Sequence, residues 1–127
     1  LVREQERGGA ASRTVIAGFS QGCAMALLTG LRHARRLAGI AGLSGYLPLA
    51  AHTAAERSAA NAQVPVFLGH GQHDDIVDIS RGRASRGALV ALGHAVQWHE
   101  YPIAHTVSMD EVADLQAWLL QVLAPAS

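Results

Sequence analysis

Four short apolar runs, at residues 14–17, 37–43, 64–68 and 96–101, alternate with stretches of helical period, and that alternation restricts the fold more than any other feature of the chain. Strands separated by helix-length crossovers pair in parallel. The crossovers turn right-handed, and the helices cover both faces of the sheet. The first run is β-branched and apolar, as a buried strand is. Residues 22–31 then place Ala24, Leu27, Leu28 and Leu31 at helical spacing. Residues 79–92 read as a helix, with Gly93 where a C-terminal cap belongs. The run at 96–101 alternates Val, Trp and Tyr with polar residues, the pattern of a strand near a sheet edge. Ser108 and Glu111 bracket a capping box, and Val112, Leu115, Trp118, Leu119 and Val122 form the stripe that the last helix is expected to bury. Residues 1–8 look like the tail of an amphipathic helix, and the alanine-rich segment 50–62 suits a helix or a loop.

A length of 127 residues suits one domain, 1–127, and leaves little room for a second. Ten basic side chains balance ten acidic ones, so no basic surface points to nucleic acid and no acidic run to a solvating tail. Arg35, Arg36, Arg81, Arg83 and Arg86 read as solvated faces. The single cysteine, Cys23, has no partner for an internal disulfide and no zinc-ligand spacing around it, which fits a reducing compartment such as the cytoplasm. No apolar run reaches the length of a membrane span, so no stable membrane insertion is expected. The chain opens on Leu1 rather than methionine, as a fragment or a processed product would.

The segment VIAGFSQGCAMALL at 15–28 sets Ser20 between glycines at the point where the first strand hands over to a helix. Reactive groups in a parallel sheet lie beyond the carboxyl ends of its strands. Gly18 and Gly22 would let the chain turn sharply there and lift the hydroxyl above the sheet, while the Gln21 amide heads the helix and faces a developing oxyanion. The same glycines could instead serve only to pack strand on helix.

A serine hydroxyl needs a base to take its proton. Of the seven histidines, His33 and His52 fall on helical or loop surface, His94 and His99 flank or lie within the last strand, and His70 and His73 fall in the turn after the third. His105 alone follows the last strand. Asp74, Asp75 and Asp78 follow the third strand and could each supply the acid that orients it. The order serine, aspartate, histidine is the one found in α/β-hydrolases.

These segments resemble the phospholipase/carboxylesterase family of α/β-hydrolases, the branch that includes acyl-protein thioesterases. GFSQG at 18–22 is similar to the family's nucleophile motif, and GLSGYLP at 42–48 to the segment after its next strand. HGQHDDIVDISRG resembles His-Gly-x-x-Asp-x-x-Val-Pro-x-x-x-Gly, with Asp78 in place of the proline. WHEYPIAHTV resembles Trp-x-x-Tyr-x-Met-x-His-Ser-Val, with Ile103 and Thr106 as replacements. The resemblance implies Ser20 as nucleophile, Asp74 as acid (Asp75 or Asp78 being the alternatives) and His105 as base. It implies hydrolysis of carboxylic esters or thioesters through an acyl-enzyme, with no metal or cofactor. Tyr46 and Leu47 would line an acyl pocket or belong to the core. Cys23 stands where a second glycine is common and reads as a packing residue.

By the same resemblance, the four strands are the C-terminal half of an eight-stranded α/β-hydrolase sheet. The strand carrying Val15 and Ile16 is then expected to present an apolar edge open to self-association. The second oxyanion donor is expected from an earlier loop. Losing one such donor costs about 10²–10³ in turnover, so the stretch alone is expected to be poorly active unless complemented. A non-catalytic binding or dimerising module, or a flavodoxin-like binding domain, are the competing readings.

Overall fold

The computed structural model describes residues 13–33, 35–48 and 61–124. Among the described residues the order of elements is β1 (Val15–Phe19), α1 (Gln21–Arg32), β2 (Gly39–Leu43), β3 (Val66–Gly71), α2 (Ile79–Ala91), β4 (Val96–Tyr101) and α3 (Met109–Val122). The helix expected over 1–8 and most of the segment 50–62 lie outside them. The four strands form one sheet in the order β1-β2-β3-β4, every pair parallel. This is the alternating fold that the apolar runs imply, in partial form.

Burial follows position in the sheet. Every residue of β2 and β3, the two inner strands, is buried, whereas β1 and β4 are mostly half-buried. On one face Cys23, Leu27 and Leu31 of α1 and Leu89 of α2 meet Ile40, Val66 and Leu68. On the other, Trp118 of α3 meets Ala41, Leu43 and Phe67, with Leu115, Leu119 and Val122 packed alongside. The alternation of side chains along each strand feeds these two cores.

The structure departs from the sequence reading in three places. β3 begins at Val66, since Pro65 has no N–H to give a ladder. It also runs on through His70, expected in a turn, and Gly71, because these pair with Glu100 and Tyr101 of β4. In α3 the inward stripe is Glu111, Leu115, Trp118, Leu119 and Val122. Glu111 is fully buried and Val112 is 44 % exposed. Positions 111, 115, 118 and 122 share one helical face, and 112 lies about 100° round from 111.

The strand ends define a rim. Phe19, Leu43, Gly69 and His99 stand in one register row, and β3 and β4 extend two residues beyond it. Backbone bonds continue the rim past the strands: the Ser20 amide donates to the Leu43 carbonyl at 2.8 Å, Ser44 to Gly69 at 2.8 Å and Gln72 to Tyr101 at 2.7 Å.

Candidate active site

Ser20 occupies the turn from β1 into α1 with φ 58° and ψ −118°. A non-glycine residue held there costs on the order of 1–3 kcal/mol and persists because its surroundings dictate it. Its amide is tied to β2, and its carbonyl accepts from the Cys23 amide at 3.0 Å. The steric demand falls on Gly18: a Cβ there would land on the Gly22 carbonyl. Gly22, expected above to share that demand, has no described atom within 4 Å of where its own Cβ would stand. α1 thus starts directly behind the hydroxyl, and the Gln21 amide is among the N–H groups a helix leaves unpaired at its head.

His105 lies in the segment between β4 and α3. That segment is held over the sheet by the His73 amide, which donates to the Ile103 carbonyl at 3.0 Å, and by Gly71, where a side chain would strike the Ile103 and Ala104 carbonyls. The Ser44 hydroxyl donates to the Thr106 carbonyl at 3.4 Å. The ring centroid of Phe19 is 4.9 Å from that of His105.

Ser20, His105 and Asp74 are hydrogen-bonded in series. His105 Nε2 is 2.9 Å from Ser20 Oγ, and His105 Nδ1 is 2.7 Å from Asp74 Oδ2. Asp74 Oδ1 accepts from the amides of Ile76 at 2.9 Å and Val77 at 2.8 Å. Burial raises the Asp74 carboxyl. The His105 contact and the two amides more than offset it, and the carboxyl sits below its usual value. An ionised carboxylate only accepts, so Nδ1 carries the ring proton and Nε2 offers its lone pair to the serine hydroxyl.

The other acids stand elsewhere. Asp78 is the N-cap of α2, accepting from the Ser80 amide at 2.9 Å. Asp75 is exposed. Tyr46 and Leu47 border a cavity of about 200 Å³ with Arg81, Ala84 and Ser85. Leu47 also belongs to the core, and the Arg81 guanidinium lies 3.6 Å over the Tyr46 ring. Burial pushes the Cys23 thiol up to about 12, against the opposing pull of the Tyr46 amide, so it is a neutral packing group at ordinary pH. Among the described residues no group of three or more His, Cys, Asp or Glu is placed to hold a metal ion.

The sequence carries no signal for Phe19 or Ser44 at the site, places His70 only in a turn and marks Glu111 only as part of a cap. Phe19 and Ser44 flank strand ends inside motifs already singled out. The Ser108 hydroxyl does accept from the Glu111 amide at 3.1 Å. The Glu111 carboxyl, however, turns inward against Gly69, where any Cβ would collide with it, and neither oxygen has a hydrogen-bond partner. Burial pushes this carboxyl up to about 7. The Ser108 backbone opposes that, and the charge of Asp114 adds to it.

Comparison with known proteins agrees with this architecture. The family model for phospholipase/carboxylesterase matches residues 1–123. The chain belongs to the phospholipase/carboxylesterase family. It is 37 % identical over 123 residues to acyl-protein thioesterase 1 of Yarrowia lipolytica, covering 94 % of this chain and 54 % of the relative. It is 40 % identical over 128 residues to acyl-protein thioesterase 1 of Gibberella zeae, covering 98 % and 54 %. The crystal structure of Arabidopsis thaliana SOBER1 superposes with a TM-score of 0.90 at 26 % identity, over 96 % of this chain and 59 % of that one. Acyl-protein thioesterase 2 of Zea mays superposes with a TM-score of 0.77 at 31 % identity, over 85 % and 55 %. The chain thus spans about half the length of the curated relatives it matches. Among the described residues no helix is long and apolar enough to cross a membrane.

Proposed function

We propose that the protein is a serine hydrolase that cleaves carboxylic esters or thioesters, with Ser20 as nucleophile, His105 as base and Asp74 as the acid that orients His105. The observation that carries this is the unbroken series of contacts, 2.9 Å from Ser20 to His105 and 2.7 Å from His105 to Asp74. Its three members come from three separate strand ends. Family membership and the thioesterase relatives support the choice of substrate class.

The steps follow from the geometry. His105 Nε2 takes the hydroxyl proton as Ser20 Oγ bonds to the carbonyl carbon, and Asp74 stabilises the imidazolium. The carbonyl oxygen gains negative charge in front of the Gln21 amide. Collapse breaks the carbon–oxygen or carbon–sulfur bond, and the proton on Nε2 passes to the departing alcohol or thiol. Water then gives a proton to Nε2, its oxygen attacks the acyl carbon, and the serine oxygen leaves with that proton. The strained turn at Ser20 keeps the hydroxyl at the rim throughout.

Cys23, a neutral thiol with no disulfide partner in the sequence, suits a cytoplasmic protein. Among the described strands β1 has a neighbour on one side only, and self-association along that edge is the contact we propose for it.

The test is hydrolysis of a panel of short acyl esters and long-chain acyl thioesters by the protein and by Ser20→Ala. Turnover is expected to be lost in the variant, as when a triad serine is removed. Hydrolysis unchanged in Ser20→Ala would discard the assignment.

A further inference from the structure

We propose that His70 is a positioning residue for this site, one that acts through Asp74, given Ser20, His105 and Asp74 in the roles above. His70 is the next-to-last residue of β3 and 1 % exposed. Its Nε2 lies 2.7 Å from the Val77 carbonyl oxygen. A carbonyl only accepts, so Nε2 bears a proton. The same nitrogen is 3.5 Å from Asp74 Oδ2, the oxygen that receives the His105 bond.

Val77 is therefore held at both ends of its backbone. Its amide donates to Asp74 Oδ1 at 2.8 Å, and its carbonyl accepts from His70. The turn from Asp74 to Val77 cannot open while His70 keeps that carbonyl, and Asp74 cannot swing away from His105 while the turn is closed. The His70 ring is itself fixed. A Cβ at Gly82 would sit 2.6 Å from His70 Nδ1, so α2 comes close because residue 82 is glycine. The Trp98 ring lies alongside, its centroid 6.4 Å from that of His70 at 26°, and the same Cβ would come within 3.0 Å of it. The charged groups around this assembly include Asp74, Asp78 at the head of α2, Arg86 at 5.9 Å over the Trp98 ring, and Glu100, which accepts from Trp98 Nε1 at 2.9 Å and from Arg83 Nε at 2.9 Å. None of these replaces the His70 proton on the Val77 carbonyl, whose hydrogen bond is otherwise unmade.

The consequence is a site whose acid is braced from behind by a second imidazole that never touches substrate. Displacing a catalytic group by about 1 Å costs on the order of 10²-fold in rate. Loss of the brace should appear in kcat and spare KM.

Two variants separate bracing from packing. His70→Gln can place its amide nitrogen near the position of Nε2, whereas His70→Asn is too short to reach the Val77 carbonyl. We expect His70→Asn to lose about 10- to 100-fold in kcat with KM nearly constant, and His70→Gln to recover most of it. The far-downfield proton resonance of the His105–Asp74 bond should weaken in the Asn variant and return in the Gln variant. In the unmodified protein, ¹⁵N shifts should place the proton of the His70 ring on Nε2. Equal kcat in wild type and both variants, or a Gln variant as impaired as the Asn one at equal thermal stability, would overturn the proposal. So would a His70 ring protonated on Nδ1 alone. Ser20→Ala, run alongside, keeps the two claims apart: activity surviving in it removes the hydrolase assignment, while its loss with unaffected His70 variants removes only the brace.

Discussion

Glu111 offers a change in stability with a sign and a size that the structure dictates. Its carboxyl is fully buried, lies against Gly69, feels the charge of Asp114, and has no hydrogen-bond partner at either oxygen. Burial raises it from 4.5 to about 7. A folded-state value above the unfolded one means that its contribution to stability is full below pH 4.5 and is lost as pH rises through about 7. The gap of roughly 2.5 units corresponds to about 3 kcal/mol. Glutamine has nearly the shape of the protonated acid and does not titrate. Glu111→Gln should therefore match the wild type near pH 4 and exceed it by about 3 kcal/mol near pH 8. Urea denaturation at several pH values, followed by the fluorescence of Trp118 and Trp98, reads this directly, since Trp118 is buried beside Phe67 on the same face. A stability difference that stays constant from pH 5 to pH 8 would refute the account of this carboxyl.

Other substitutions probe the rest of the site. Asp74→Asn should lower kcat by about 10⁴, through the wrong His105 tautomer, while the same change at Asp75 leaves kcat alone; steady-state assays distinguish them. Asp78→Ala removes the cap on α2, so the thermal midpoint should fall while turnover holds. Gly18→Ala drives a Cβ into the Gly22 carbonyl, where no side chain can rotate aside, and should cost about 3 kcal/mol or more in calorimetry.

Much of this arrangement is written in local chemistry. The turn at Ser20 is legible because a β-branched run, two glycines and a helix of small residues follow one another within fourteen positions, 15–28. Ser108 is legible as a cap because its hydroxyl bonds only three residues ahead. Which aspartate meets His105 is less so. Asp74, Asp75 and Asp78 are chemically alike and crowd into five positions, 74–78, and only the folded turn decides among them. It gives Asp74 two amides and His105, gives Asp78 the head of α2, and leaves Asp75 in solvent.

Long-range pairing hides the remainder. His70 and Gly71 look like turn residues and become strand only because β4 runs beside them as far as Tyr101. Glu111 and Val112 compete for one inward position. Hydrophobicity favours valine, but the phase set by Trp118 and Leu115 admits the glutamate, and the missing side chain at Gly69 makes room for it. A helical stripe read by hydrophobicity alone misses a position that an acid fills at a cost in stability.

The central claim is that a hydroxyl at the end of β1 is made nucleophilic by an imidazole from the loop after β4. Incubating the protein with a fluorophosphonate probe and mapping the adduct by peptide mass spectrometry tests it most directly. One phosphonyl group per chain on Ser20, lost when His105 is replaced by alanine, is the predicted result. An unlabelled Ser20, or labelling indifferent to His105, would contradict it.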